Sequence, residues 1–213
     1  MADASVIINI VASGFYRELL QLIARPFYVA DVIISELERG ASNGCIDGDV
    51  LKSLIEQKVI KCVTLNPDGW KEFEGMVSGA SLSTLDDGEA ATLAYCATEN
   101  AIPIIDERKA NRICRERYLD ISPINSVTLF MMASSLGRVA HENLSEAIFK
   151  ALFYGRMRVM QEDLEWVIGM IGIENAARCN SLPLSVRRQS LLVEELKTGT
   201  FEISSTDPIF GRS

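Results

Sequence analysis

Four carboxylates stand at positions from which a folded chain could gather them around one cation: Asp3, Glu36, Glu89 and Asp106. Carboxylate oxygens are the ligands that hard divalent cations prefer. Four such groups crowded together repel one another and raise each other's pKa unless a cation neutralises them. Convergence of the four would therefore predict a metal site. Separation would leave them as caps and ion-pair partners in a structural or assembly protein.

Asp106 and Asp3 each stand directly before a predicted helix. Asp106 also ends the apolar run at residues 101–105, which indicates a buried strand. Ligands of open parallel sheets collect just beyond the carboxyl ends of the strands, so this position makes Asp106 a candidate ligand. For both aspartates the alternative is a purely structural role as the N-cap of the following helix.

Glu89 and Glu36 lie inside predicted helices. Glu89 forms a capping-box pattern with Asp86, yet it precedes Leu93 on the apolar face of its helix, so its carboxylate should point inward. Glu36 falls at the margin of an apolar helical arc. A charge buried there needs a cation, a hydrogen-bond network or a proton, and an ordinary salt bridge is the simplest alternative.

A basic cluster follows Asp106 directly and consists of Arg108, Lys109, Arg112, Arg115 and Arg117. Arg108, Arg112 and Arg115 share one face of the predicted helix. We expect Arg108, Lys109 and Arg112 to bind phosphates beside the acids. A solvated charged face explains the same cluster equally well.

The elements that must position these side chains alternate between helix and apolar strand. Helices are predicted over residues 6–11, 16–24, 32–39, 50–57, 86–99, 107–117 and 126–136, and residues 137–172 look all-helical. Strands are predicted over residues 59–65, 101–105 and around 119–124, with a turn at 66–69. This alternation indicates an α/β fold with a buried parallel sheet. A further helical stretch is predicted over residues 185–197 of the tail.

Composition excludes several classes of protein. The 213 residues are 48% hydrophobic and 23% charged, as in a globular protein with a proper core. A net charge of −8 argues against non-specific coating of nucleic acid, and a single histidine excludes a multi-histidine zinc site. Glycine-rich dinucleotide, Walker and serine-hydrolase motifs are absent. No apolar stretch is long enough for a membrane span and no signal peptide is evident, so we expect a soluble cytoplasmic protein.

Four short motifs around the acids, in this order and spacing, resemble the PIN-domain family, and most closely its VapC-like prokaryotic ribonucleases. They are Asp3-Ala4-Ser5-Val6-Ile7-Ile8-Asn9, Val32-Ile33-Ile34-Ser35-Glu36-Leu37, Gly88-Glu89-Ala90-Ala91-Thr92-Leu93-Ala94 and Ile104-Ile105-Asp106-Glu107-Arg108-Lys109-Ala110. The resemblance implies a PIN-like three-layer fold with a central parallel sheet flanked by helices over residues 1–172. Residues 173–213 would then form a helical C-terminal extension.

The activity that the resemblance implies is metal-dependent hydrolysis of RNA. Asp3, Glu36, Glu89 and Asp106 would be catalytic and would hold Mg²⁺ or Mn²⁺, with Ser5 and Asn9 in support. The metal would lower the pKa of a bound water and polarise the scissile phosphate. The implied partners are RNA and an antitoxin protein, with the chain acting as the toxin of the pair, and we expect a homodimer. The alternative is a non-catalytic PIN-like module that binds nucleic acid or protein.

Three features depart from the family pattern. Only Met1 and Ala2 precede the first acid, where relatives have a whole hydrophobic strand. Glu89 stands where many relatives have aspartate, and Ile104-Ile105-Asp106 lacks the threonine that toxins often show shortly before the fourth acid. These departures leave the geometry at Asp3 and Glu89 open.

Overall fold

A computed structural model describes residues 1–41, 46–78 and 84–188 of the chain. The first part contains helices α1 (Ala4–Ala12), α2 (Tyr16–Ile23), α3 (Asp31–Ala41), α4 (Asp47–Glu56) and α5 (Pro67–Val77), with strands β1 (Phe27–Ala30) and β2 (Ile60–Val63). The second part contains α6 (Asp87–Glu99), α7 (Arg108–Arg117), α8 (Ser126–Ser135), α9 (His141–Phe153), α10 (Leu164–Ile171) and α11 (Ile173–Arg178), with a 3-10 turn at Gln161–Asp163. The fold is of the α/β class, as predicted.

Strands β1 and β2 pair in parallel, with Phe27 opposite Ile60. Backbone hydrogen bonds continue from β1 across the molecule, because the Ala2 N–H donates to the Tyr28 carbonyl over 2.9 Å. Parallel bridges then join Ala2 to Ile104 and Ile104 to Ile124. Met1 and Ala2, which precede Asp3, therefore make the backbone hydrogen bonds that a longer first strand would make.

The predicted strands at 101–105 and 119–124 are shorter than expected, since each is reduced to one bridging residue. Pro103 has no N–H to donate, although its carbonyl accepts from the Ile124 N–H over 3.0 Å. β1 was missed, because it is only four residues long and follows directly on Arg25-Pro26, which indicates a helix end.

The predicted turn at 66–69 is instead the start of α5. The Asn66 side chain caps this helix by accepting from the Gly69 N–H over 2.7 Å, and Pro67 occupies the first turn, where no N–H is needed. The prediction was wrong because Asn66-Pro67-Asp68-Gly69 is typical both of a turn and of the capped start of a helix. Between residues 137 and 172 the all-helical prediction was also wrong, because residues 154–160 are not helical.

Helix α6 lies between two hydrophobic clusters. Ala91 and Cys96 belong to the main core, which extends through α1, the strands, α8, α9 and α10. Ala90 and Leu93 belong to a smaller cluster with α5 and α7. Both faces of α6 are therefore packed, which fixes the position of its N-terminus, where Glu89 lies.

The hydrophobic core continues past residue 172. Ala176, Cys179 and Leu182 are all buried in the main cluster. The proposed boundary between a domain at 1–172 and an extension at 173–213 stays a prediction, as does the three-layer arrangement. The predicted helix at 185–197 lies largely outside the described residues.

Within the described ranges, no single helix is long and apolar enough to cross a membrane. α1 and α2 together meet the criterion by length and composition only, and they are bent by 115° relative to each other.

Candidate active site

The four acids singled out by the sequence line a single pocket of about 210 Å³. Ser5 and Asn9, the predicted supporting residues, line it as well. The pocket lies where α1, α3, α6 and the backbone after Ile105 meet. Acids separated by up to a hundred residues of sequence are thus brought to one place.

Asp3 follows the bridging residue Ala2 and caps α1. Its Oδ1 accepts from the Val6 N–H over 2.8 Å and from the Ser5 hydroxyl over 2.9 Å. Burial raises the pKa of Asp3 well above its usual value, the neighbouring Asp106 charge raises it further, and the two hydrogen bonds act in the opposite direction. Asp3 is therefore the N-cap of α1 and also lines the pocket, and its catalytic role stays a prediction.

Asp106 is buried and is held by three hydrogen bonds. Its Oδ2 accepts from the Asn9 amide nitrogen and from the Ser126 hydroxyl, each over 2.6 Å. Its Oδ1 accepts from the Ser126 backbone N–H over 2.7 Å. Burial nevertheless raises the pKa of Asp106. Its carboxylate does not cap α7, as the alternative interpretation proposed, but is tied to the first residue of α8.

Glu89 forms the predicted capping box and also lines the pocket. The Asp86 carboxylate accepts from the Glu89 N–H over 2.8 Å, and the Asp86 backbone hydrogen-bonds the Glu89 carboxylate in return. Burial, followed by the charge of Asp86, raises the pKa of Glu89 from 4.5 to about 7. This side chain therefore keeps its proton to a higher pH than an ordinary glutamate does.

Glu36 reaches the same pocket from α3. Burial is the largest cause that raises its pKa, and the charge of Asp86 adds to it, while Arg39 on its own helix lowers it. The simple salt-bridge interpretation is therefore incomplete. In all four acids the fold disfavours the ionised form.

A family model, DUF3368, described as a PIN domain, matches residues 1–172. The chain belongs to the PIN-domain family. No curated protein and no solved structure matches it significantly. PIN domains are in general nucleases, so the fold is of nuclease type.

The donor set of this PIN domain suits a hard divalent cation, since it consists of carboxylates whose ionised forms are disfavoured without a counter-charge. However, among the described residues no three His, Cys, Asp or Glu side chains are placed so that they could hold a metal ion together. Asp3 and Asp106 are fixed by hydrogen bonds. A shared cation would therefore require the side chain of Glu36 or Glu89 to rotate towards them.

The basic residues predicted to bind RNA are not at this pocket. Arg108 and Arg112 line a separate groove, in which Arg112 pairs with Glu116 over 2.8 Å. Lys109 does not line the pocket, but its charge lowers the pKa of Glu89, after burial and the charge of Asp86 have raised it.

Sequence analysis missed Ser126, Gly155, Arg156 and Arg158. Ser126 stands at the start of an apolar helix and carries no pattern that points to Asp106. The other three line the pocket from the irregular segment after α9, which helical periodicity concealed. The Arg158 guanidinium pairs with Glu107 over 2.6 Å.

Gly88 permits the close approach of Glu36 to α6. A Cβ at this position would lie 2.6 Å from the Glu36 Oε2 and would displace that side chain. We expect Gly88→Ala to leave the thermal midpoint unchanged or raised, because alanine is favoured over glycine by about 1 kcal/mol inside a helix. Any metal-dependent cleavage should fall. Gly169→Ala on α10 is the comparison, since Gly169 is exposed and a Cβ there would meet nothing within 4 Å. Equal activity of the two variants would contradict a role for Glu36.

Proposed function

We propose that this PIN domain is a metal-dependent ribonuclease that hydrolyses RNA phosphodiester bonds with Mg²⁺ or Mn²⁺. Asp3, Glu36, Glu89 and Asp106 are its catalytic and metal-binding residues. The observation that supports this most is the assembly of the four acids in one pocket with the pKa of every one of them raised. Such an arrangement is costly unless a cation compensates it.

Charge also argues for metal dependence. A phosphodiester is an anion, and the six acidic side chains that line the pocket outnumber its two arginines. They repel the phosphodiester at short range, all the more because the pocket is partly shielded from water. Bound Mg²⁺ or Mn²⁺ would supply a water of lowered pKa and polarise the phosphate. The substrate and the site therefore require the same cation.

The protein's own residues orient the acids. Ser5 and the Val6 N–H leave the Asp3 Oδ2 available to a ligand, since both donate to Oδ1. Asn9 and Ser126 fix the plane of the Asp106 carboxylate. Glu89, with a pKa of about 7, can accept the proton of an attacking water at a carboxylate oxygen.

Purified protein should cleave a 5′-labelled single-stranded RNA in Mg²⁺ or Mn²⁺. Cleavage should stop in excess EDTA and resume when the metal is restored. A DNA oligonucleotide of the same sequence tests whether the 2′-hydroxyl is required. Cleavage that persists in EDTA would contradict metal dependence. A stable, folded protein that cleaves neither strand with either metal would contradict the nuclease proposal itself.

The second candidate is a non-catalytic module that binds nucleic acid or protein. It is favoured by the lack, within the described residues, of three side chains placed to hold a metal. Calorimetric titration with millimolar Mn²⁺ separates the two candidates. Absence of binding heat together with retained RNA binding would favour the module. The toxin role, the antitoxin partner, the homodimer and the cytoplasmic location stay predictions.

A further inference from the structure

Residues 155–158, here called the arginine segment, place two arginine side chains at the acidic pocket. Gly155, Arg156 and Arg158 all line it. Met157, between the two arginines, is fully buried, and its N–H donates to the Ala151 carbonyl over 3.0 Å. Val159 is buried as well. This alternation anchors the segment in the core while both arginines remain exposed at the pocket.

Gly155 lets the segment lie directly against the site. A Cβ at this position would be 2.7 Å from the Ala151 carbonyl oxygen and 2.9 Å from the Asn9 Oδ1. Asn9 in turn donates to Asp106. The arginine segment therefore packs on the residue that orients a catalytic acid, so its position relative to the pocket is determined by the fold.

Arg156 occupies a backbone conformation that arginine rarely adopts. Its φ is 57°, in the left-handed region, where glycine and asparagine are better tolerated. Backbone strain of this kind clusters at functional sites. Within residues 1–41, 46–78 and 84–188, the Arg156 guanidinium has no hydrogen-bond or ion-pair partner, although six acidic side chains line the same pocket.

The two arginines differ in what they already bind. Arg158 pairs with Glu107, and its charge lowers the pKa of Asp106 as the smallest of several causes. Among the described residues nothing occupies the donors of Arg156, so they face the pocket available to a ligand. A guanidinium presents a planar fork that matches a phosphate, and the ligand expected at this pocket is a phosphodiester.

We infer that the arginine segment is the phosphate-binding element of the site. Arg156 binds a backbone phosphate of the RNA. Arg158, which follows Met157 and is held by Glu107, adds a second positive charge at the same pocket. This inference rests on the proposed function, because it takes RNA as the ligand. It replaces Arg108 and Arg112 as the RNA contacts. The four acids do not line the groove of Arg108 and Arg112, and Arg112 already pairs there with Glu116 over 2.8 Å.

The test is equilibrium binding of a fluorescein-labelled single-stranded RNA, measured by fluorescence anisotropy at several salt concentrations. Binding is measured in EDTA, where metal-dependent cleavage cannot proceed, and again in Mn²⁺ with Asp106→Asn as the parent protein, since a cation then compensates the acids while cleavage is slow. Arg156→Asn should weaken binding about tenfold, the loss expected for charge-assisted hydrogen bonds to one phosphate. It should also reduce the slope of log K against log salt by about 0.7. Arg156→Lys keeps the charge, so its RNA affinity should lie between that of the native protein and that of Arg156→Asn.

Two control variants make the result specific. Arg138→Ala removes an exposed arginine from a different surface, and Arg108→Ala tests the groove on α7. Both should bind RNA within twofold of the native protein. Arg156→Asn should not lower the thermal midpoint, since asparagine tolerates the left-handed backbone, whereas a purely structural arginine would lower the midpoint and leave the salt slope unchanged.

The outcomes separate this inference from the proposed function. Equal binding by Arg156→Asn and Arg138→Ala overturns the inference even if the native protein cleaves RNA. No measurable RNA binding, by the native protein in EDTA and by the Asp106→Asn parent in Mn²⁺, overturns it too. Retained binding that depends on Arg156, in a protein that cleaves nothing with either metal, supports the inference and contradicts only the nuclease proposal.

Discussion

Asp106→Asn is expected to reduce RNA cleavage by at least about 10²-fold, the scale of loss for a preorganised electrostatic group. The change removes a negative charge while it keeps the size of the side chain. Asn9 and Ser126 can both reorient to serve an amide, because the Asn9 amide and the Ser126 hydroxyl each contain a donor and an acceptor. Initial rates on labelled RNA at saturating Mn²⁺ measure the effect.

The fold should tolerate this substitution. Burial makes the ionised form of Asp106 unfavourable in the native protein, so removal of the charge offsets the loss of one acceptor. The thermal midpoint at pH 8 should stay within a few degrees of the native value. Asp120→Asn, at an exposed loop position, is the matched control and should keep full activity. A fully active Asp106→Asn protein would exclude Asp106 from the reaction.

Divalent metal is expected to raise the thermal midpoint, and by more at pH 8 than at pH 5. All four acids have a raised pKa in the folded protein, so the native state holds protons that the unfolded chain releases. As pH rises from about 4.5 to about 7, the range set by Glu89, the metal-free protein should lose stability. The ionised carboxylates above that range are the form that binds a cation.

At a metal concentration a hundred times the dissociation constant, binding contributes about 2.7 kcal/mol. For a domain of this size, that corresponds to a rise of about 5–10 °C in the midpoint. Scanning calorimetry with and without Mn²⁺ at both pH values gives the comparison, and the Asp106→Asn protein should show a smaller rise. Identical thermal midpoints with and without metal at pH 8 would contradict the proposal that the pocket binds a divalent cation.

Local patterns were enough to single out four acids that the fold places in one pocket. Asp106 ends an apolar run before a helix, and Glu36 lies at the edge of an apolar arc, so each signal resides in a few neighbouring residues. These signals predict burial. They do not predict mutual distance, which depends on contacts such as the Ala2–Ile104 bridge that join remote parts of the chain.

Other parts of the site could not be predicted, for the same physical reason. The hydrogen bonds from Ser126 to Asp106 and the packing of Gly155 on Asn9 are tertiary contacts without a periodic signature. The arginine segment lies between two strongly helical stretches, where hydrophobic spacing favours continued helix. By comparison, the basic cluster on α7 is easily recognised in the sequence, although its members Arg108, Arg112 and Arg115 line a different groove.

The order in which the pocket residues occur along the chain, from Asp3 to Arg158, has a consequence for synthesis on the ribosome. A nascent polypeptide that has emerged only as far as α7 contains all four acids but neither the α8 residue that holds Asp106 nor the arginine segment. Under the function proposed above, incomplete chains would be inert towards the messenger that encodes them. Cleavage would begin only after most of the polypeptide had left the exit tunnel and folded.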